Sequence, residues 1–340
     1  MTRLIFLSFL LLLAGCASQQ QVMSEHQIYQ KMKDASLVLL VNGKENGSAS
    51  FISEDGYIVG ASHCIKFRDD DLEVISPKLG KLGVKLIAID KLHDMMLLKA
   101  DLGERKAVFL PPSQRKVQTP EKVYQIGSPI YRRGVVQSGF VARDDTYYEF
   151  YGERHNHYIE IIHISVSIQS GTSGGPWVNR NGEFIGVQSG TLLVGDSPSG
   201  IAFMSPVSSF LDVIKSKKSA RSYNLDFKVM PLETHNSSTI DRYKGYDFGL
   251  VVSEIKDESI AKKAGLNKWD LIVAVNEQPV KTASDLMNKV KEFKKKSVKL
   301  TIVELDSDKS SEKEVPVEIV EDRITYKNPP KEVAEDKTSR

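Results

Sequence analysis

The sequence predicts a mostly β fold, a large domain of short strands followed by a smaller α+β unit. Three observations point there. With 340 residues, 41% of them hydrophobic and 26% charged, the chain can bury two ordinary cores. Between about Lys33 and Val207, runs rich in β-branched and aromatic residues are separated by turn dipeptides at short intervals, the pattern of a barrel or a sandwich. Beyond residue 246, strand-like and helix-like periods alternate within a short span.

The elements follow in order. Ser48 to Ser53, Asp55-Gly56 and Tyr57 to Gly60 read as a hairpin, as do Trp177-Val178, Asn181-Gly182 and Phe184 to Gln188. Apolar residues at Val207, Phe210, Leu211, Val213 and Ile214 fall at helical spacing, so a helix to Ser216 closes a domain spanning 34–215. Residues 216–245 are polar and basic with scattered strand-like fragments and are expected to be a linker that also holds the first strand of the second unit. In the unit at 246–320, Phe248–Ile255, Leu271–Val275, Val298–Glu304 and Glu314–Val320 are expected as strands. Ser259–Ala264 is expected as a short helix stopped by Gly265, and Ser284–Lys295 as an amphipathic helix with Ser284 at its N-cap. The charged, proline-bearing residues 321–340 are expected to be disordered.

Residues 1–15 carry Arg3 and then an apolar run from Leu4 to Leu13, too short for a bilayer but long enough for an export signal. The ending Leu13-Ala14-Gly15-Cys16 resembles the lipobox of bacterial lipoproteins. It implies cleavage before Cys16, lipidation of that thiol and, with Ala17 following, a lipid-anchored protein on the periplasmic face of the outer membrane. Residues 16–33 are then an N-terminal tether. Only Cys64 remains, so no intramolecular disulfide is expected. Lysine plus arginine (46) nearly balances aspartate plus glutamate (44), which argues against nucleic acid as a partner.

Gly171-Thr172-Ser173-Gly174-Gly175-Pro176 surrounds one serine with glycines, so the backbone can aim several N–H groups at one point. A phosphate loop is disfavoured, because no Gly-Lys-Ser/Thr and no βαβ context surround it. A serine nucleophile needs a base, and the base needs an orienting acid. Ala61-Ser62-His63-Cys64 and His93-Asp94 followed by Met95 to Leu98 supply them, in the order His, Asp, Ser. His93, His155, His157 and His163 compete for roles. His155 and His157 lack a third ligand for a metal, and no metal or cofactor is expected.

These three places resemble the trypsin-like domain of the HtrA proteases. Gly47 to Val59 is similar to their hairpin before the histidine, Asp94 to Lys99 to their aspartate strand, Ser170 to Gly186 to their serine loop and Gly200 to Pro206 to their closing segment. The resemblance implies a double six-stranded β-barrel and acyl transfer by His63, Asp94 and Ser173, with the amides of Gly171, Thr172 and Ser173 as oxyanion donors. It also implies a specificity pocket floored near Ser167 and a strand, Val187-Gln188-Ser189, that pairs with substrate. No buried aspartate is expected there, so a small or medium apolar side chain is the expected preference. Trp177 departs from the smaller residue usual at its place.

Phe248-Gly249-Leu250-Val251-Val252, Ala261 to Gly265, Trp269 to Ile272 and Asn276 resemble the PDZ domains joined to such proteases. A C-terminal peptide is then expected to add beside Leu250 to Ser253, with Leu286, Val290 and Phe293 facing either the groove or the core. Asp144 to His157 is read as a regulatory loop or as plain surface. The expected function is endopeptidase action on unfolded or misfolded envelope proteins, and the resemblance adds a homotrimer as the expected assembly. A catalytically silent peptide-binding scaffold and a dedicated signalling protease are the alternatives.

Overall fold

The structure is a computed structural model describing residues 23–151, 157–220, 222–293, 296–307, 309–320 and 327. The expected export signal, Cys16, His155 and all but one residue of the expected tail lie outside the described residues.

The chain enters through a helix, α1 (Glu25–Ala35). Ser24 caps it by accepting from Gln27 N while the Gln27 side chain accepts from Ser24 N, a reciprocal capping box. Ile28, Met32 and Ala35, at i, i+4 and i+7, are buried in the core of the first barrel. Burying Ile28 and Met32 contributes about 3–6 kcal/mol. Residues 25–33, expected within a tether, are therefore a docked part of the domain.

The first barrel closes in the order β1 (Ser36–Val41), β2 (Lys44–Phe51), β3 (Tyr57–Ala61), β6 (Met95–Ala100), β5 (Gly80–Asp90) and β4 (Leu72–Ser76). The second closes as β10 (Pro176–Val178), β11 (Phe184–Val194), β12 (Ser197–Pro206), β9 (His157–Ser165), β8 (Val135–Tyr151) and β7 (Lys122–Gly127). Two closed six-stranded barrels match the expected fold. The barrels meet where Ser48 N donates to Ser173 O at 2.7 Å. The expected closing helix is shorter, α2 (Leu211–Ser216) after a 3₁₀ turn at Val207–Ser209. Up to Tyr151, the expected loop from Asp144 is strand.

The second domain begins inside the stretch read as linker and first strand, with more structure there than the one strand expected. Within the residues read as a linker lie β13 (Ser222–Asn224), β14 (Phe227–Pro231) and α3 (Ser237–Ile240). They are followed by β15 (Leu250–Ile255), α4 (Ile260–Lys263), β16 (Leu271–Val275), β17 (Gln278–Pro279), α5 (Ala283–Phe293), β18 (Ser297–Val303), β19 (Ser310–Pro316) and β20 (Glu318–Val320). The main sheet runs β14-β15-β16-β18-β19, and β13 pairs with β20. The α5 cap is Thr282, not Ser284: Thr282 Oγ1 accepts from Asp285 N and Asp285 Oδ2 accepts from Thr282 N, each at 3.0 Å. Asp285 three residues on completes that exchange. The core of this domain is continuous with the barrels, because Leu92, Tyr148, Phe150 and Tyr158 are buried among Leu225, Phe227, Leu286 and Val290. Among the described residues no helix is long and apolar enough to cross a membrane.

Candidate active site

Three junctions converge where the barrels meet. His63 sits on the 3₁₀ turn Ser62–Cys64 that ends β3, Asp94 immediately precedes β6 with φ +46°, and Ser173 lies in the loop between β9 and β10. The Asp94 carboxylate is fully buried, yet four groups donate hydrogen bonds to its oxygens. Oδ1 takes Ser62 Oγ and His63 N, each at 2.9 Å, and Oδ2 takes His63 Nδ1 at 2.7 Å and Ser189 Oγ at 2.6 Å. Those donors offset the desolvation of a buried charge.

Burial disfavours a charged His63, but the adjacent Asp94 carboxylate outweighs it and holds the imidazole well above its ordinary pKa. With Nδ1–H given to Asp94, Nε2 is left as the base, and the ring shares a cavity of about 500 Å³ with Ser173.

The serine loop is held by its own carbonyls. Ile130 N donates to Ser170 O at 3.0 Å, Ser48 Oγ to Gly171 O at 3.0 Å and Gly175 N to Thr172 O at 2.8 Å. Gly174, at φ +82°, has no room for a side chain, since a Cβ there would lie 2.1 Å from Ser48 O. Among the described residues the amides of Gly171, Thr172 and Ser173 donate to no backbone carbonyl.

The expected specificity residues divide. Ser167 is exposed, and its carbonyl accepts from Gln137 Nε2 at 3.3 Å; the next residue, buried Ile168, lines the cavity instead. Val187 faces the core, because side chains alternate along β11. Gln188 is on the cavity wall but spent internally: its N donates to Gly175 O, its O accepts from Gly174 N, and its Oε1 accepts from Trp177 Nε1 at 3.0 Å. The bulky Trp177 thus has a definite partner. Ser189 serves Asp94, and because β10 pairs β11 only over Phe184 to Val187, the side of β11 from Ser189 through Gly190 to Leu193 runs along the cavity without a β10 partner.

Sequence reasoning missed Ile168, Tyr151 and Phe203 in the wall, and Ser62 and Ser189 as donors to the acid. Gly190 is what lets Tyr151 in, since a Cβ there would sit 2.4 Å from the phenol oxygen. The other histidines have separate places. His93 lies between Asp90 and Glu160, His157 Nε2 bonds Lys91 O at 3.1 Å, and His163 packs on Tyr147 and Phe203.

In the second domain the expected peptide-adding strand is not an edge. β15 pairs with β14 on one side and β16 on the other, so Leu250 to Ser253 cannot receive a peptide strand. The sheet edge on that side is β14, where Val229 N donates to the buried Tyr158 Oη at 3.0 Å. Gly249 approaches Leu271, Phe248 packs with Val251 around Leu271, and Leu286 and Val290 are core.

Residues 47–187 match the family described as trypsin-like peptidase domain, and residues 233–303 match the PDZ domain. A probable periplasmic serine endoprotease DegP-like from Pseudomonas putida (strain W619) is 29% identical over 71% of this chain and 49% of its own length. One of the same description from Brucella suis biovar 1 is 30% identical over 72% of this chain and 47% of its own length. The chain therefore spans about half the length of the curated relatives it matches. Among solved structures, the HtrA-type protease AlgW with decapeptide superposes with TM-score 0.60 at 19% identity, covering 91% of this chain and 100% of its own. A serine endoprotease from Yersinia pestis gives TM-score 0.56 at 20% identity, covering 88% and 99%. The chain thus carries a trypsin-like peptidase domain followed by a PDZ domain, and it is similar along both to DegP-like and HtrA-type serine endoproteases.

Proposed function

We propose that the chain is a serine endopeptidase in which Ser173 attacks a peptide carbonyl while His63 Nε2 takes its proton. The observation that carries this reading is the buried Asp94, held by four donors and itself holding His63 Nδ1 beside the cavity that contains Ser173. Asp94 fixes the tautomer and steadies the imidazolium, which then protonates the leaving amine. The amides of Gly171, Thr172 and Ser173 receive the oxyanion, and water activated by His63 hydrolyses the acyl-enzyme. Ile168, Tyr151 and Phe203 make an apolar wall, so a small or medium apolar side chain precedes the cleaved bond.

The substrates in this reading are unfolded or misfolded envelope proteins, which expose apolar side chains in extended chain that can pair with the edge from Ser189 to Leu193. Anchoring through lipidated Cys16 at the outer membrane, and assembly as a homotrimer, complete the proposal on the strength of the sequence resemblance. Hydrophobic C-terminal peptides are proposed ligands of the PDZ domain.

The test compares the chain with its Ser173→Ala variant for fluorophosphonate labelling and for cleavage of an unfolded protein. Labelling and cleavage that both vanish with the serine support the reading. A folded wild type that neither labels nor cleaves, with or without C-terminal peptides, overturns it.

A further inference from the structure

The loop that delivers Asp94 is held from outside its own barrel as well as from within it. Leu92 O accepts from Glu160 N of β9 at 2.8 Å, and Lys91 O is bonded by His157 Nε2 at 3.1 Å. The Leu92 side chain is buried in the PDZ core with Leu225 and Val290. His93, the residue before the acid, is buried with both ring nitrogens engaged, Nδ1 by Asp90 Oδ2 at 2.7 Å and Nε2 by Glu160 Oε2 at 3.0 Å. Glu160 also accepts from Tyr148 Oη at 3.2 Å, from Ser209 Oγ at 3.1 Å and from Lys291 Nζ at 3.0 Å. Lys291 belongs to α5, so one carboxylate joins the acid loop, the second barrel and the PDZ helix.

We propose that His93 and Glu160 are positioning residues for the acid of the triad, and that Lys291 ties their setting to the PDZ domain. The inference rests on the peptidase reading above. Two carboxylates on opposite ring nitrogens require both nitrogens to donate, so His93 is an imidazolium fixed in one plane. Burial works against that charge, but Asp90 and Glu160 outweigh it and push its pKa up to about 9. Burial likewise works against the Glu160 carboxylate, and His93 and Lys291 outweigh it and hold its pKa well below the ordinary value. A buried ion network is a poor source of net stability compared with apolar packing, whereas it fixes geometry through directional bonds. Geometry is what Asp94 needs, since a shift of about 1 Å in a catalytic group costs about 10²-fold in rate.

The experiment uses the full chain and the variants Lys291→Met, Lys291→Arg and Glu160→Gln. The Lys291 side chain is 46% exposed, so its replacements leave the fold intact. Two readouts are taken, kcat and KM on a peptide with an apolar residue before the cleaved bond, and the downfield proton resonance of the His63 Nδ1–Asp94 bond. Glu160→Gln is expected to lower kcat by about 10²-fold with KM unchanged, and Lys291→Met by about tenfold or less. Both shift or broaden the resonance, and Lys291→Arg restores each readout. An unchanged kcat and an unchanged resonance in folded Lys291→Met and Glu160→Gln overturn the inference, as does a change in KM alone. If the wild type cleaves nothing, the resonance decides by itself: a shift in Lys291→Met keeps the positioning role while the peptidase reading falls, and no shift removes both.

Discussion

Asp94 concentrates the chemistry of the molecule in one carboxylate. An amide in its place has only one accepting oxygen, so Asp94→Asn cannot serve both Ser62 Oγ with His63 N and His63 Nδ1 with Ser189 Oγ. The amide N–H₂ instead faces donors, and His63 turns to the tautomer whose Nε2 already carries a proton. Asp94→Asn is therefore expected to reduce kcat by about 10⁴-fold, read by steady-state kinetics, with folding checked by near-ultraviolet circular dichroism. Ser189→Ala removes a single donor worth about 1–2 kcal/mol, for a loss of about tenfold in kcat and little change in KM. His63, Asp94 and Ser173 are legible in the sequence because each stands at a chain-local junction: the end of an apolar strand, the start of another, a glycine-rich turn. Ser62 and Ser189 are not, since their roles arise where distant strands meet, 95 residues apart for Ser189 and Asp94. Nothing in the sequence around Trp177 announces Gln188 as its partner, for the same reason.

At the scale of elements, the two barrels are readable from turn dipeptides between strand-like runs, while the PDZ strands are misplaced for a physical reason. Leu250-Val251-Val252 is buried on both sheet faces, and such a run looks alike whether its strand is central or at an edge. The edge is β14, whose mixed Phe227-Lys228-Val229-Met230 gives only a strand-like fragment in a stretch read as linker and first strand. Its exposed ladder side is closed by Tyr158, a fully buried phenol from the second barrel. Tyr158→Phe keeps the ring but leaves the Val229 N–H buried without an acceptor, at a cost of about 1–3 kcal/mol. Denaturant unfolding is expected to show that loss, and amide exchange at Val229 to accelerate. If stability is unchanged and exchange at Val229 stays slow, the phenol is not what closes the edge.

For the whole molecule, pH sets activity and stability against each other. His63 acts as a base only when neutral, and its pKa is raised well above 6.5 beside Asp94, so kcat/KM rises with pH through that raised value and the optimum is alkaline. The clamp behind the site behaves in the opposite sense. His93, facing Asp90 and Glu160, has a folded pKa of about 9 against an ordinary 6.5, so its contribution to stability is complete below 6.5 and lost as pH rises through about 9. Glu160, facing His93, Lys291 and Tyr148, is depressed below its ordinary 4.5, so its contribution is complete above 4.5 and lost only in stronger acid. Both are present in full between about pH 4.5 and 6.5. Melting temperature followed from pH 4 to 10 is expected to be highest in that window and to fall on its alkaline side, where cleavage is still accelerating. In Glu160→Gln the alkaline fall begins at lower pH, because His93 loses one of the two carboxylates that keep it charged, and an alkaline limb identical to wild type would separate the network from the stability of the fold.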